Sequence, residues 1–396
     1  MDAVAERYLR LGLGLGKHVD GLVDGYYGPP SLAEEERQSL AELLEETRTL
    51  RAHVATADLD EQRRRWLSAQ LDGLECVAEM TSGVAVPWRE AVRRCYGVEV
   101  ERVPEERFEE AHARLDAALP GSGELADRLE AWRVTQDVPT AKLLPGFHAL
   151  VDELRARTGD LVELPDGERF NAQLVEGEPW GAYNWYLGDL ESRIDINTDL
   201  PVRSYFLAIL AAHEGYPGHH TEAVCKEARL VRGEGRDELS ILLIHTPECL
   251  VAEGIATIAI EQALGDDWAA RSAEILRALD IPFDDQVAHV VADATQQLEH
   301  VDVNIAWSAS EDGWSEDDAV AYHRRWSLST EERARRAVAF DTHPMWGIYV
   351  PTYPLGKRLA GAFAASRDDG FRALLTEQLT TADLLDAFGL RTNGDN

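Results

Sequence analysis

The segment Leu210–Glu222, LAAHEGYPGHHTE, crowds together side chains that can hold a metal ion or move a proton, among them His213, Glu214, His219 and His220. It begins as the zinc-binding pattern His-Glu-x-x-His. In that pattern two histidines one helical turn apart share a tetrahedral ion, and the glutamate is a general base. Here Pro217 stands where the second histidine belongs. A histidine six residues on is rotated by about 240° and faces away. One seven residues on regains the face but has risen about 10.5 Å, too far for two nitrogens each about 2.0–2.1 Å from one ion. No regular helix builds the site with either late histidine.

Pro217 and Gly218 remove that regularity. Proline has no N–H for the carbonyl of His213 and clashes with it, while glycine accepts the dihedrals of a break. A two-residue bulge would return His219 to the ligand position and leave His220 as a substrate-side or supporting group. The reverse assignment stays open, as does a capped loop with surface histidines and no metal. In the preceding PVRSYFLAILAAHEGY, Phe206, Ile209, Leu210 and His213 fall on one helical stripe, which is expected to be buried.

A catalytic zinc needs a third protein ligand, commonly a glutamate from another helix. In HTPECLVAEGIATIAIEQAL, Thr246 and Pro247 suit an N-cap and a first helical residue. Glu248 falls in the first turn, where the helix dipole favours a carboxylate. Glu253 instead lies mid-helix among Leu250, Val251, Ala252, Ile255, Ala256 and Ile258. A buried carboxylate there requires a metal, or a cation such as Arg203 or Arg325. Gly254 beside it admits a second backbone.

The elements that must position these residues are mostly helical. At 396 residues, with 45% hydrophobic and 28% charged side chains, the chain has the length and composition of a soluble protein with a large core. Apolar residues recur at three- and four-residue steps from Ala3 to about Val23, from Ser31 to about Thr56 and from Leu59 to about Met80. EERFEEAHARLDAAL, ELADRLEAWRVT and PTAKLLPGFHALVDELRART continue the pattern. Between 161 and 200, WGAYNWYLGDLESRIDINTDL predicts a β-hairpin turning at Gly-Asp. The expected fold is therefore mostly α with one small sheet beside the cleft. It would have an N-terminal helical lobe over 1–160 and a metal-binding lobe over 161–396, with a shared core and no linker.

With 72 acidic against 39 basic residues and a formal net charge of -33, nucleic acid and anionic membrane surfaces are excluded as partners. The N-terminal MDAVAERYLRLGLGLG lacks the basic start of a signal peptide, and no run reaches the roughly 18 apolar residues of a membrane span. Cys76, Cys95, Cys225 and Cys249 are scattered, as expected of buried thiols in a reducing compartment. A cytoplasmic location is expected.

At HEGYPGHH and AEGIATIAIE the chain resembles the domain-of-unknown-function-885 family. That family's signature is His-Glu-x-x-Pro-Gly-His-His followed by a helix with Glu-Gly-Trp-Ala. Ile255 replaces the tryptophan here. GYYGPP near the start and TYPLGKRLAGAF near the end also resemble family elements. The family is similar to the carboxypeptidase Taq and thimet oligopeptidase groups, which are large helical zinc metallopeptidases with a deep cleft. The resemblance implies Zn²⁺ held by His213, His219 and Glu253, since in those relatives the metal histidine follows a glycine, as His219 follows Gly218. Two departures stand out. The family continues His-His-Leu-Gln where this chain has Thr221 and Glu222. Its Asp-x-Gly-x-His element corresponds to DVNIA, Asp302 to Ala306, without the glycine or the histidine.

The reaction this implies is hydrolysis of short peptides by a carboxypeptidase or oligopeptidase. Glu214 would be the general base and Tyr353 the donor to the oxyanion, followed as donors by Tyr349 and His343. The hairpin SRIDINTDL would offer an edge strand to an extended peptide, with Asn197 near it, and Lys357 or Arg358 would receive a C-terminal carboxylate. Hydrolysis of a non-peptide amide or ester, and an inactive helical metal-binding protein, are the alternatives.

Overall fold

The computed structural model describes residues 1–178 and 180–389. As expected, the fold is mostly α with small sheets. There are two sheets where the sequence suggested one. Strands β1 (Val23–Tyr26) and β5 (Ile241–Leu243) pair antiparallel. In the second sheet β2 (Arg169–Val175), β3 (Ala182–Gly188) and β4 (Glu191–Asn197) lie in the order β2-β4-β3. The β3–β4 turn falls on Asp189 and Leu190, with φ of 54° and 59°. Two successive left-handed residues are the geometry that matches strand twist in a two-residue hairpin.

Because β4 pairs with β2 on one side and β3 on the other, SRIDINTDL has no free edge to offer a peptide. The exposed edges belong to β2 and β3. The first helix is also shorter than its periodicity suggests, ending at Gly16. A Cβ on Gly16 would lie 2.6 Å from Val23, so the chain folds back there into β1. The long helix expected from Ser31 is two, Pro30–Ala33 and Leu40–Val54. The second restarts at Ser39, whose side chain and Glu42 form a reciprocal capping box.

Two apolar clusters form the core, and each draws on both sides of residue 160. One packs Tyr8, Leu43, Trp66 and Leu74 with Leu250, Ile255, Leu359 and Leu374. The other packs Phe108, Trp132, Phe147 and Leu150 with Ile194, Leu207, Ile260 and Val291. Helix Pro247–Leu264 contributes to both clusters and is buried nearly all round, which is how its apolar sequence is satisfied. Helix Thr352–Ser366 crosses it at paired glycines. A Cβ on Gly254 would sit 2.5 Å from the carbonyl oxygen of Gly356, and one on Gly356 would sit 2.8 Å from that of Leu250. Among the described residues, no helix is long and apolar enough to cross a membrane.

Candidate metal centre

Helix Ser204–Leu210 runs into a wider π turn over Ala211–Gly215, which carries His213 and Glu214. The turn closes with the Tyr216 N–H on the carbonyl of Ala211, 3.3 Å away. Such widened turns recur at functional sites because they rotate side chains out of helical register. The Tyr216–Pro217 peptide bond is cis. Gly218 then folds back under the turn, its N–H donating to the carbonyl of Ala212 at 2.9 Å. Helix His219–Lys226 starts immediately after it. The break therefore lies just beyond Glu214, and it returns the chain to the same spot after one irregular loop.

The buried stripe is displaced from the one the spacing suggested. Phe206 is exposed and Leu207 is fully buried with Leu210, Ala211 and Ala212, while His213 is half-buried. His213 thus lies at the margin of the core rather than in its middle. Its Nε2 lies 3.6 Å from Glu253 Oε2, and the Nε2 of His219 lies 3.9 Å from the same oxygen. Ligand atoms of the three residues all lie within 4.8 Å of one another. Ligand atoms on a tetrahedral zinc with bonds of about 2.0–2.1 Å stand roughly 3.3 Å apart, so the two histidine–Glu253 distances of 3.6 and 3.9 Å are a little longer than a bound ion requires.

Two further observations fit a cation at this point. Glu253 Oε2 is buried without a hydrogen-bond partner, and neither arginine reaches it. Arg203 pairs with Glu130 and Asp137, and Arg325 lies 3.7 Å from Glu105. Burial lowers His213 to about 4. Burial, then the neighbouring His213, holds His219 well below the usual imidazole range. Both rings are thus neutral near pH 7, the form that donates to a metal. Burial, then Glu253 and Asp24, raises Glu214 to about 8. Burial likewise lifts Glu253 to about 8 despite a hydrogen bond from Tyr349, with Asp24 and Glu222 adding to the rise. Carboxyls crowded in this way lack positive charge.

His220 points away. Its Nδ1 is 2.8 Å from Ser192 Oγ and its Nε2 is 3.0 Å from Glu168 Oε2. Glu168 also accepts from Tyr216 and from Arg155 Nε at 2.8 Å. That network, buried except for Arg155, ties the loop ending at His219 to β2, β4 and helix Thr140–Leu161.

Tyr349 Oη donates to Glu253 Oε1 at 2.7 Å and lies 3.2 Å from Tyr353 Oη. Tyr349 orients the Glu253 carboxylate, and Tyr353 holds the less committed hydroxyl. The other candidates are used elsewhere. His343 is exposed, its Nδ1 accepting the backbone N–H of Met345 and of Trp346 at 3.2 Å. Asn197 donates to the carbonyls of Glu178 and Trp180 at 2.8 and 2.9 Å, so it stitches the loop between β2 and β3. Lys357 donates to Glu261 at 3.1 Å and to Gln296, and Arg358 is exposed over the ring of Phe388. Two residues near the site escaped sequence reasoning. Asn184 of β3 donates to the carbonyl of Glu214 at 2.6 Å. Asp24 of β1 bears electrostatically on both Glu214 and Glu253. The only sequence signal for Asp24 is an acid inside the otherwise uncharged GLVDGYYGPP.

No family model matches the chain. No curated protein matches it either. Solved structures do resemble it. One is a "putative lipoprotein" from Colwellia psychrerythraea, with TM-score 0.52 and 14% identity, covering 89% of this chain and 67% of that one. Another, from Shewanella oneidensis, carries the same description with unknown function, with TM-score 0.50 and 12% identity, covering 88% of this chain and 72% of that one. At such identities the likeness is one of fold alone.

Proposed function

We propose that the chain is a zinc-dependent metallopeptidase acting on short peptides, of the family its HEGYPGHH motif resembles. The observation that carries the reading is the unpartnered, buried Glu253 Oε2 facing the Nε2 atoms of His213 and His219 from a different helix. A zinc ion there would polarise a scissile carbonyl and bring the pKa of a bound water towards neutrality. Glu214, next to His213 on the π turn, takes the proton from the attacking water and returns it to the leaving amine. Tyr353 donates to the oxygen on which negative charge develops, while Tyr349 keeps the Glu253 carboxylate aimed. Four unpaired, buried cysteines accord with a reducing, cytoplasmic setting.

Metal analysis of protein purified without chelators is the first test, with Glu253→Ala as its control. About one equivalent of zinc is expected in the wild type, and its absence there would remove the enzyme reading. A peptide-library digest then compares wild type with Glu214→Gln. Cleavage by the wild type alone supports the assignment, and identical product profiles discard Glu214 as the base.

A further inference from the structure

Strand β1 carries one extra residue. Val23 opposes Leu243 and Gly25 opposes Leu242, so Asp24 has no partner on β5. A bulge of this kind re-aims a side chain, and bulges gather beside active sites. The Asp24 carboxylate accepts from the hydroxyl of Tyr183 on β3, and that hydroxyl is the only group offsetting its burial. No lysine, arginine or histidine among the described residues forms an ion pair with it. Tyr183 sits in an aromatic row, with ring centroids 5.5 Å from Trp180 and 4.5 Å from Trp185. Acidic groups crowd beyond Glu253 too. Glu299 is raised to about 8 by burial and then by Asp302, with Lys357 opposing and Glu253 adding to the rise. Lys357 itself is committed to Glu261 and Gln296.

The cation against this aromatic row, Arg193 at 5.2 Å over the Trp185 ring, is already paired with Asp195 at 3.1 Å. Asp24 by contrast is a carboxylate without a cation beside aromatic faces, the combination that recognises an ammonium group. We propose that Asp24, held by Tyr183 beside this aromatic row, binds the free α-ammonium of a peptide, so that substrates enter by the amino end rather than the carboxylate end. The proposal rests on the hydrolase reading for what happens next, but its binding step does not.

The test is therefore one of binding. Glu214→Gln protein supplied with zinc is titrated calorimetrically with Ala-Phe-amide, acetyl-Ala-Phe-amide and acetyl-Lys-Phe-amide. The free-amine dipeptide is expected to bind at least about 10-fold more tightly than its acetylated form, as a charge-assisted contact predicts. Adding Asp24→Asn should erase that preference. Equal affinities, no binding by the free-amine peptide, or tighter binding of acetyl-Lys-Phe-amide would overturn the proposal. So would a preference that survives Asp24→Asn. The ratio before Asp24 is changed decides the point even if the double variant does not fold. Because no turnover is read, a failure here leaves the hydrolase reading to its own assay.

Discussion

A Cβ placed on Gly218 would lie 2.0 Å from the carbonyl oxygen of His213 and 2.5 Å from that of Ala212. Both obstacles are backbone, and they belong to the π turn that presents His213 and Glu214. Nothing there yields as a flexible side chain would. Gly218→Ala must therefore push the start of helix His219–Lys226 away from the turn, carrying His219 with it. The expected result is a stability loss of about 3 kcal/mol, at the upper end for overpacking, together with loss of bound zinc. Thermal unfolding and metal content of the purified variant check both. Full zinc occupancy in Gly218→Ala would show that the close approach does not set the ligand geometry.

His219 and His220 are neighbours in sequence with opposite roles in space. His219→Ala removes a nitrogen from the metal set and is expected to abolish zinc binding while unfolding close to the temperature of the zinc-free wild type. His220→Ala should keep the zinc but lose about 3 kcal/mol of stability, because Glu168 is left buried with one partner fewer. Zinc stoichiometry and thermal unfolding on both variants separate the roles, and the reverse pattern would exchange them.

How far the site is legible in sequence follows from these residues. The interruption at Pro217 could be read because proline removes a donor at a known offset, and Glu253 because a lone acid among apolar neighbours is anomalous in any helix. The mostly helical architecture follows from long 3.6-residue periodicities. Strands β1 and β5 were not legible, since four and three residues are too few to show alternation. The hairpin is legible, but its partner β2, paired parallel to β4 across the sequence between them, is not, so β4 reads as an edge. Asp24 was missed for the same reason. Its position depends on a bulge, and bulges are set by pairing rather than by local composition. His343, Asn197 and Lys357 have side chains suited to substrate binding, but each satisfies a neighbouring backbone group or acid.

Tyr349 and Tyr353 lie 3.2 Å apart at their hydroxyls, yet their removal should read differently. Tyr349→Phe deprives Glu253 of its only donor among the described residues, and loss of such a supporting contact weakens zinc affinity by roughly 10- to 100-fold. Tyr353→Phe leaves the metal set intact. It should lower kcat by about 100- to 1,000-fold, the usual cost of losing one oxyanion donor, with zinc affinity unchanged. Competition with a chelating dye gives the first quantity and steady-state peptide cleavage the second. Equal effects of both substitutions on zinc affinity would make the pair a single supporting unit.

The network around Glu168 predicts how acid acts on the fold. Burial alone would raise this carboxyl, but hydrogen bonds from His220, Tyr216 and Arg155 bring it from 4.5 down to about 2. A carboxyl that binds its proton less readily when folded stabilises the native state at pH values above its unfolded pKa. That contribution is complete above about pH 5 and is lost as pH falls towards 2. At 1.36 kcal/mol per unit, the difference amounts to about 3 kcal/mol. Glu168→Gln should therefore cost about that much at pH 7 and progressively less at lower pH, so the two proteins converge near pH 2. Denaturant unfolding of both proteins between pH 7 and the acid limit of folding measures the gap. A gap that stays constant between pH 5 and pH 3 would mean that Glu168 acts through shape rather than charge. Because this network anchors the loop ending at His219, a narrowing gap would also predict that zinc retention in the wild type weakens with acid more steeply than protonation of the ligands alone requires.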